Sequence, residues 1–205
     1  MLSLAIVHVI ISIVILVRFS IAAEKESIAM STPAPEANSL FYHEDDYCQI
    51  ELVPEENFDR LIRQAENVED FAAKHFTGQG YTDMMIRDEH AFPLRHRGIR
   101  PAELDEILSG LALPRHDQVS TGIRPGEMPC VRTIGFGENY HAIFYDYESD
   151  IVDNIWLDGP GEFEPGKLIQ VLHQIGVKWR LLLMDWNSLE LIDLSNLEQL
   201  KKYLS

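Results

Sequence analysis

Four stretches of the chain repeat apolar residues at i, i+3, i+4 and i+7, the stripe of a helix with one buried face. The first is Phe58, Leu61, Ile62 and Ala65, opened by Pro54, whose missing N–H costs nothing at a helix start. Val68, Phe71, Ala72 and His75 form a second stripe, with Asn67 as its cap and Gly78 as its stop. Leu104, Ile107, Leu108 and Leu111 follow Pro101, and Leu168, Val171, Leu172 and Ile175 follow Pro165 and end at Gly176. A last helix is predicted from a capping box of Ser195 and Glu198, burying Leu197, Leu200 and Leu204.

Short strand-like runs lie between these stripes: Cys48 to Val53, Thr82 to Arg87, Val131 to Ile134, Tyr140 to Tyr145 and Ile151 to Leu157. The unbroken apolar run within Trp179 to Met184 predicts a central strand covered on both faces. The turn-rich Asp185-Trp186-Asn187-Ser188 leads into Leu189 to Leu194, which predicts a hairpin, and Tyr147 to Asp150 joins two further strands. Consecutive strands with helices inserted at either end predict a single α+β domain over residues 40–205 with a mainly antiparallel sheet.

Two segments precede that domain. Residues 1–23 are almost wholly apolar and are followed by a linker over 24–39, rich in Ala, Ser, Pro and Glu. Seventeen apolar-dominated residues from Met1 to Val17 sit at the lower limit for a bilayer span. Three readings stand side by side. The segment is a signal peptide cleaved near Ala22 or Ala23, an anchor with Arg18 on the cytoplasmic side, or an extension ahead of a true start at Met30.

Composition narrows the function. Seventeen Lys and Arg against 33 Asp and Glu give a formal charge of −16, which argues against a nucleic-acid binder held by phosphate contacts. A charged partner would be basic. The acids are blocked: Glu138 to Glu164 contains eight acids and no Lys or Arg, and Glu44 to Asp70 contains ten against Arg60 and Arg63. Aromatic residues are interleaved with the first block, and aromatics beside carboxylates suit a protein interface, one supplying anchors and the other steering. Asp146, Glu148, Asp150 and Asp153, with Tyr145 and Tyr147, are the candidate partner contacts.

Signals for catalysis are sparse. His43-Glu44-Asp45-Asp46 gathers an imidazole and three carboxylates, but successive strand residues point apart, so a solvated acidic turn is the plain reading. Cys130 and His141 offer a nucleophile–base pair, against the ordinary reading of a buried structural cysteine. Cys48 reads the same way, and in an exported chain it could pair with Cys130. Gly135-Phe136-Gly137 lacks the third glycine of a dinucleotide fingerprint, and no Gly-x-Ser-x-Gly elbow occurs. The expectation is therefore no catalytic residue, no metal and no cofactor. The alternative is a small exported or anchored hydrolase or metal-dependent enzyme built on His43 or on Cys130 with His141. A chaperone that releases a secreted client is a third possibility.

One resemblance sharpens this. The opening Phe41-Tyr42-His43-Glu44-Asp45-Asp46-Tyr47, with Lys167-Leu168-Ile169, Gly176-Val177-Lys178-Trp179, Leu182-Leu183-Met184-Asp185-Trp186-Asn187 and Leu191-Ile192-Asp193-Leu194, resembles small acidic immunity proteins encoded beside bacterial polymorphic toxins. The likeness spans about residues 40–204. It implies a cytoplasmic, non-catalytic protein whose partner is a cognate protein toxin with a basic surface, such as a nuclease. Membrane contact is implied only if residues 1–23 are retained.

Overall fold

The computed structural model describes residues 39–138 and 141–205. The apolar segment over 1–23 and all but the last residue of the 24–39 linker lie outside the described residues, as does Tyr140. The described residues form an α+β domain built on a seven-stranded, wholly antiparallel sheet with a three-stranded sheet beside it.

Ten strands and four α-helices alternate along the described residues. The strands are β1 (Leu40–His43), β2 (Ile50–Pro54), β3 (Arg115–His116), β4 (Val119–Gly122), β5 (Met128–Cys130), β6 (Thr133–Glu138), β7 (His141–Glu148), β8 (Ile151–Asp158), β9 (Leu181–Asp185) and β10 (Glu190–Asp193). The helices are α1 (Phe58–His75), α2 (Pro101–Leu108), α3 (Pro165–Trp179) and α4 (Leu197–Tyr203). The large sheet runs β10-β9-β2-β8-β7-β6-β3, and the small one runs β1-β4-β5 with β1 parallel to β4.

Strand alternation divides the core into layers, because successive side chains leave opposite faces of a sheet. Leu52, Ile143, Tyr145, Ile155, Leu157, Leu181 and Leu183 face one side, where Leu104 and Leu108 of α2, Leu168, Leu172 and Ile175 of α3 and Leu200 of α4 cover them. The opposite face is covered twice. Phe144 and Trp156 pack under Leu40, Tyr42 and Val119 of the small sheet. Val53, Leu182 and Met184 pack under Leu61 of α1. The run Leu181 to Met184 is thus covered on both sides, as its unbroken apolarity predicts.

Several boundaries differ from the sequence pattern. The two stripes over 58–75 are one 18-residue helix, so Asn67 is a mid-helix residue rather than a cap. Pro54 closes β2, and the helix starts after a 3₁₀ turn at Glu55–Asn57. The final helix is capped by Asn196, whose side chain accepts from the backbone N–H groups of Glu198 and Gln199, while the Ser195 hydroxyl donates to Asp193. Gly176 does not end α3. Leu194 presses so closely that a Cβ there would lie 2.2 Å from the Leu194 Cβ, and Arg180 ends the helix in the left-handed conformation. Residues 82–87 form no strand. The Tyr147–Asp150 turn is a two-residue hairpin, with Ser149 and Asp150 both at positive φ as the twist of its strands requires.

Candidate functional site

The predicted contact residues lie at the β7–β8 hairpin, but they do not form a patch of free carboxylates. Tyr145 is wholly buried, because its strand position turns it into the main core, and its hydroxyl donates to Asp105 of α2 at 2.6 Å. It is therefore no surface anchor. Tyr147 is half-buried at the rim of the same core. Glu148 is ion-paired with Arg132 at 2.8 Å, and Asp153 with Arg95 at 3.4 Å. Asp146 sits inward, accepting from the Tyr47 hydroxyl at 2.9 Å and from Asn154 at 3.0 Å. Asp150, at the hairpin tip, is exposed without an ion-pair partner among the described residues. Of the four candidate carboxylates, Asp153 and Glu148 are thus ion-paired within the chain, Asp146 is turned inward, and Asp150 is exposed.

Burial pushes the Asp146 carboxyl above its ordinary range, against the hydrogen bonds from Tyr47 and Asn154. A carboxyl whose folded value is raised contributes stability that is present below the unfolded value and lost as pH rises through the folded one. The stability of Asp146→Asn relative to wild type is therefore expected to increase as pH climbs from about 4, the ordinary Asp value, toward neutrality. Urea unfolding of both proteins across that range checks the sign; a constant difference would refute it.

The residues considered for catalysis stand apart. His43 caps a 3₁₀ turn over Glu44–Asp46, its Nδ1 accepting from the Asp45 N–H. Among the described residues no group of three or more His, Cys, Asp or Glu is placed to hold a metal ion. Cys130 meets the Tyr42 hydroxyl at 3.5 Å and its thiol is pushed up by burial, the opposite of what a nucleophilic thiolate needs. His141 instead packs edge-on against Phe163. Cys48 is likewise shifted up by burial, and both thiols are free.

A polar cluster that sequence reasoning missed lies where β2 and β8 part. These strands share one bridge, Glu51 to Trp156, and the 3₁₀ turn Leu94–Arg97 contacts both. A cavity of about 370 Å³ opens here, lined among others by Tyr47, Glu51, Arg87, His90, Asn154 and Trp186. Glu51 is buried and accepts from the Trp186 indole N–H at 2.7 Å, with His90 Nε2 at 3.0 Å from its other oxygen. The Arg87 guanidinium lies 4.4 Å over the Trp186 ring and donates to the Cys48 carbonyl. Four distant segments supply these groups, and each is unremarkable in its own stretch of sequence. The one signal was Trp186 within a turn, a bulky residue where small polar ones are usual.

The cluster anchors the segment that follows α1. From Phe76 the chain turns at the Phe76–Tyr81 bridge and runs back along the helix. Thr82 meets His75, Gln64 donates to the Asp88 carbonyl, Arg60 pairs with Asp88, and buried Asn57 both donates to and accepts from the Phe92 backbone. The foot of this segment is thereby fixed, while Phe76, Tyr81, Met84 and Ile86 above it are 56%, 63%, 81% and 85% exposed. Asp83 and Glu89 of the same segment, and Asp59, Glu66 and Glu69 of α1, are exposed with no ion-pair partner among the described residues, Glu66 and Glu69 on the helix face beside Leu189 and Leu191. Among those residues no helix is long and apolar enough to cross a membrane. No family model matches the chain, and no curated protein or solved structure matches it either.

Proposed function

We propose that the chain is a non-catalytic acidic binding protein that neutralises a cognate bacterial toxin by covering its active site, as the immunity proteins it resembles do. The observation that carries this reading is the charge of the α1 side. Asp59, Glu66 and Glu69 on the helix, and Asp83 and Glu89 on the segment behind it, face solvent without a basic partner among the described residues. Other acids pair internally, as at Glu55 with Arg180, Glu56 with Arg97, Asp105 with Arg115 and Glu148 with Arg132, while Asp150 and Glu162 are also exposed without an ion-pair partner among the described residues. Carboxylates left unpaired together steer a cationic partner and raise its rate of encounter. A nuclease toxin fits best, since its phosphate-binding cleft is basic and carboxylates would stand where phosphates bind.

The test starts from the adjoining reading frame, where a toxin-like domain is the expected finding, and proceeds to co-expression with that domain. Growth rescue and a stoichiometric complex are expected, with association that slows steeply as salt rises. Glu66→Lys with Glu69→Lys should slow association roughly tenfold at low salt and flatten its salt dependence. Asp150→Lys, a single charge at the hairpin tip, should do less. A toxin that kills cells as before and binds nothing would end the proposal.

A further inference from the structure

Helix α1 covers β2 and β9 but leaves the start of β10, at the sheet edge, only partly covered. Val53, Leu182 and Met184 lie buried in the cluster of Leu61, whereas Leu189 and Leu191 are half-buried at its margin. A groove of about 220 Å³ runs between these two leucines and the helix. Met184, wholly buried and the cross-strand partner of Leu191, closes its bottom. The opposite wall is one stripe of α1, since Ile62, Glu66 and Glu69 follow one another at i, i+4 and i+7. Leu189 stands at a φ of 57°, where glycine or asparagine would be unstrained, so an apolar side chain is kept there at a backbone cost.

Size and charge together select what fills this groove. Its volume falls below the roughly 300–1,000 Å³ of small-molecule pockets, so it suits one side chain rather than a free ligand. Its charge is one-sided. Glu66 and Glu69 are exposed neighbours on the helix whose charges repel, and no lysine or arginine lines the groove with them. We propose that the groove between α1 and β10 is the docking site for an arginine of a protein partner, its guanidinium between Glu66 and Glu69 and its stem along Ile62, Leu189 and Leu191. The inference rests on the binding-protein reading above and names a contact within it. A cation there relieves the repulsion, while the methylene stem covers apolar surface that water now meets. Arginine suits the place better than lysine, because its planar head offers donors on several sides and is more weakly hydrated. An arginine seated in an apolar slot is also the kind of residue that carries much of an interface's binding energy. A second copy would bring the same two acids face to face, a repulsive arrangement.

The experiment follows the isoleucine and leucine methyl NMR signals of the full chain during titration with N-acetyl-arginine amide. The signals of Ile62, Leu189 and Leu191 should move and saturate in the millimolar range. The citrulline analogue, which keeps the stem and lacks the charge, should leave them in place. Glu66→Gln with Glu69→Gln should weaken the arginine probe roughly tenfold without lowering the urea midpoint, both positions being exposed. A toxin-like domain found in the adjoining frame and bound by the wild type should leave the same variant roughly tenfold faster. An arginine probe that moves none of the three residues' methyl signals, or a citrulline analogue that moves them equally, overturns the docking site; a toxin domain still held by the chain then leaves the function standing. A groove that takes the arginine probe in a chain that binds no toxin domain ends the toxin reading and leaves the arginine site in place. If sedimentation shows a dimer that Ile62→Asp abolishes, a second copy fills the groove and the proposal is overturned.

Discussion

Glu51→Ala is expected to destabilise the folded state by about 3 kcal/mol, measured by urea unfolding at neutral pH. The residue is buried, and its two oxygens serve two partners distant from it and from each other in sequence, the Trp186 indole N–H and His90. Truncation leaves the indole N–H without an acceptor and removes a carboxylate that acts on the half-buried Arg87 guanidinium. Glu51→Gln should cost less than half as much, because an amide oxygen still accepts from Trp186. The loss should also appear locally. His90 and Arg87 tie the segment after α1 to the sheet, so limited proteolysis within residues 76–92 should accelerate in Glu51→Ala beyond what its global stability accounts for. A variant as stable as wild type and cleaved at the same rate would show that the cluster holds nothing in place.

Gly176→Ala is expected to be the most damaging small substitution in α3, costing about 3 kcal/mol or more and leaving little soluble folded protein. In an exposed helix the same change would stabilise, since glycine is a poor helix former. Here the added Cβ would lie 2.2 Å from the Leu194 Cβ and 2.7 Å from the Leu194 carbonyl carbon, and a backbone atom has no rotamer to escape into. The helix and the residue leading to α4 would have to separate. Replacing Gly161, where nothing lies within 4 Å, serves as the control and should be tolerated. Thermal denaturation of the two variants side by side decides the matter.

Much of the fold was legible because it is local. The stripe of Leu168, Val171, Leu172 and Ile175 gave α3, and the apolar run Leu181 to Met184 gave a strand with cover on both faces. The turns at Ser149-Asp150 and after Asp185 gave the two hairpins. Features set by distant partners were not legible. Asn67 has the chemistry of a cap, yet Leu61 and Val68 pack on the same α1 cluster and the helix runs through it. Gly176 has the chemistry of a stop, but Leu194 explains it. The small sheet joins β1 to β4 across the whole of the α1 and α2 sequence, with no pattern in either strand to announce the other. The candidate site divides in the same way. Acid density was visible, whereas the pairing of Glu148 with Arg132 and of Asp153 with Arg95 depends on the fold. The exposure of Met84 and Ile86 ran against the expectation of a strand over Thr82 to Arg87. Their apolarity was visible, and its direction was not.

The parallel pairing of Leu40–His43 with Val119–Gly122 also bears on how the chain emerges during synthesis. The earliest strand of the domain has no seat until the residues that receive it have left the ribosome. Leu40 additionally leans on Gly135, so β6 must emerge too. Bringing such distant segments together costs loop-closure entropy that only the finished contact repays. Translation products that stop short of Val119 would therefore keep Leu40 and Tyr42 exposed and adhesive, and the start of the domain takes its place only once about half of the domain has been made.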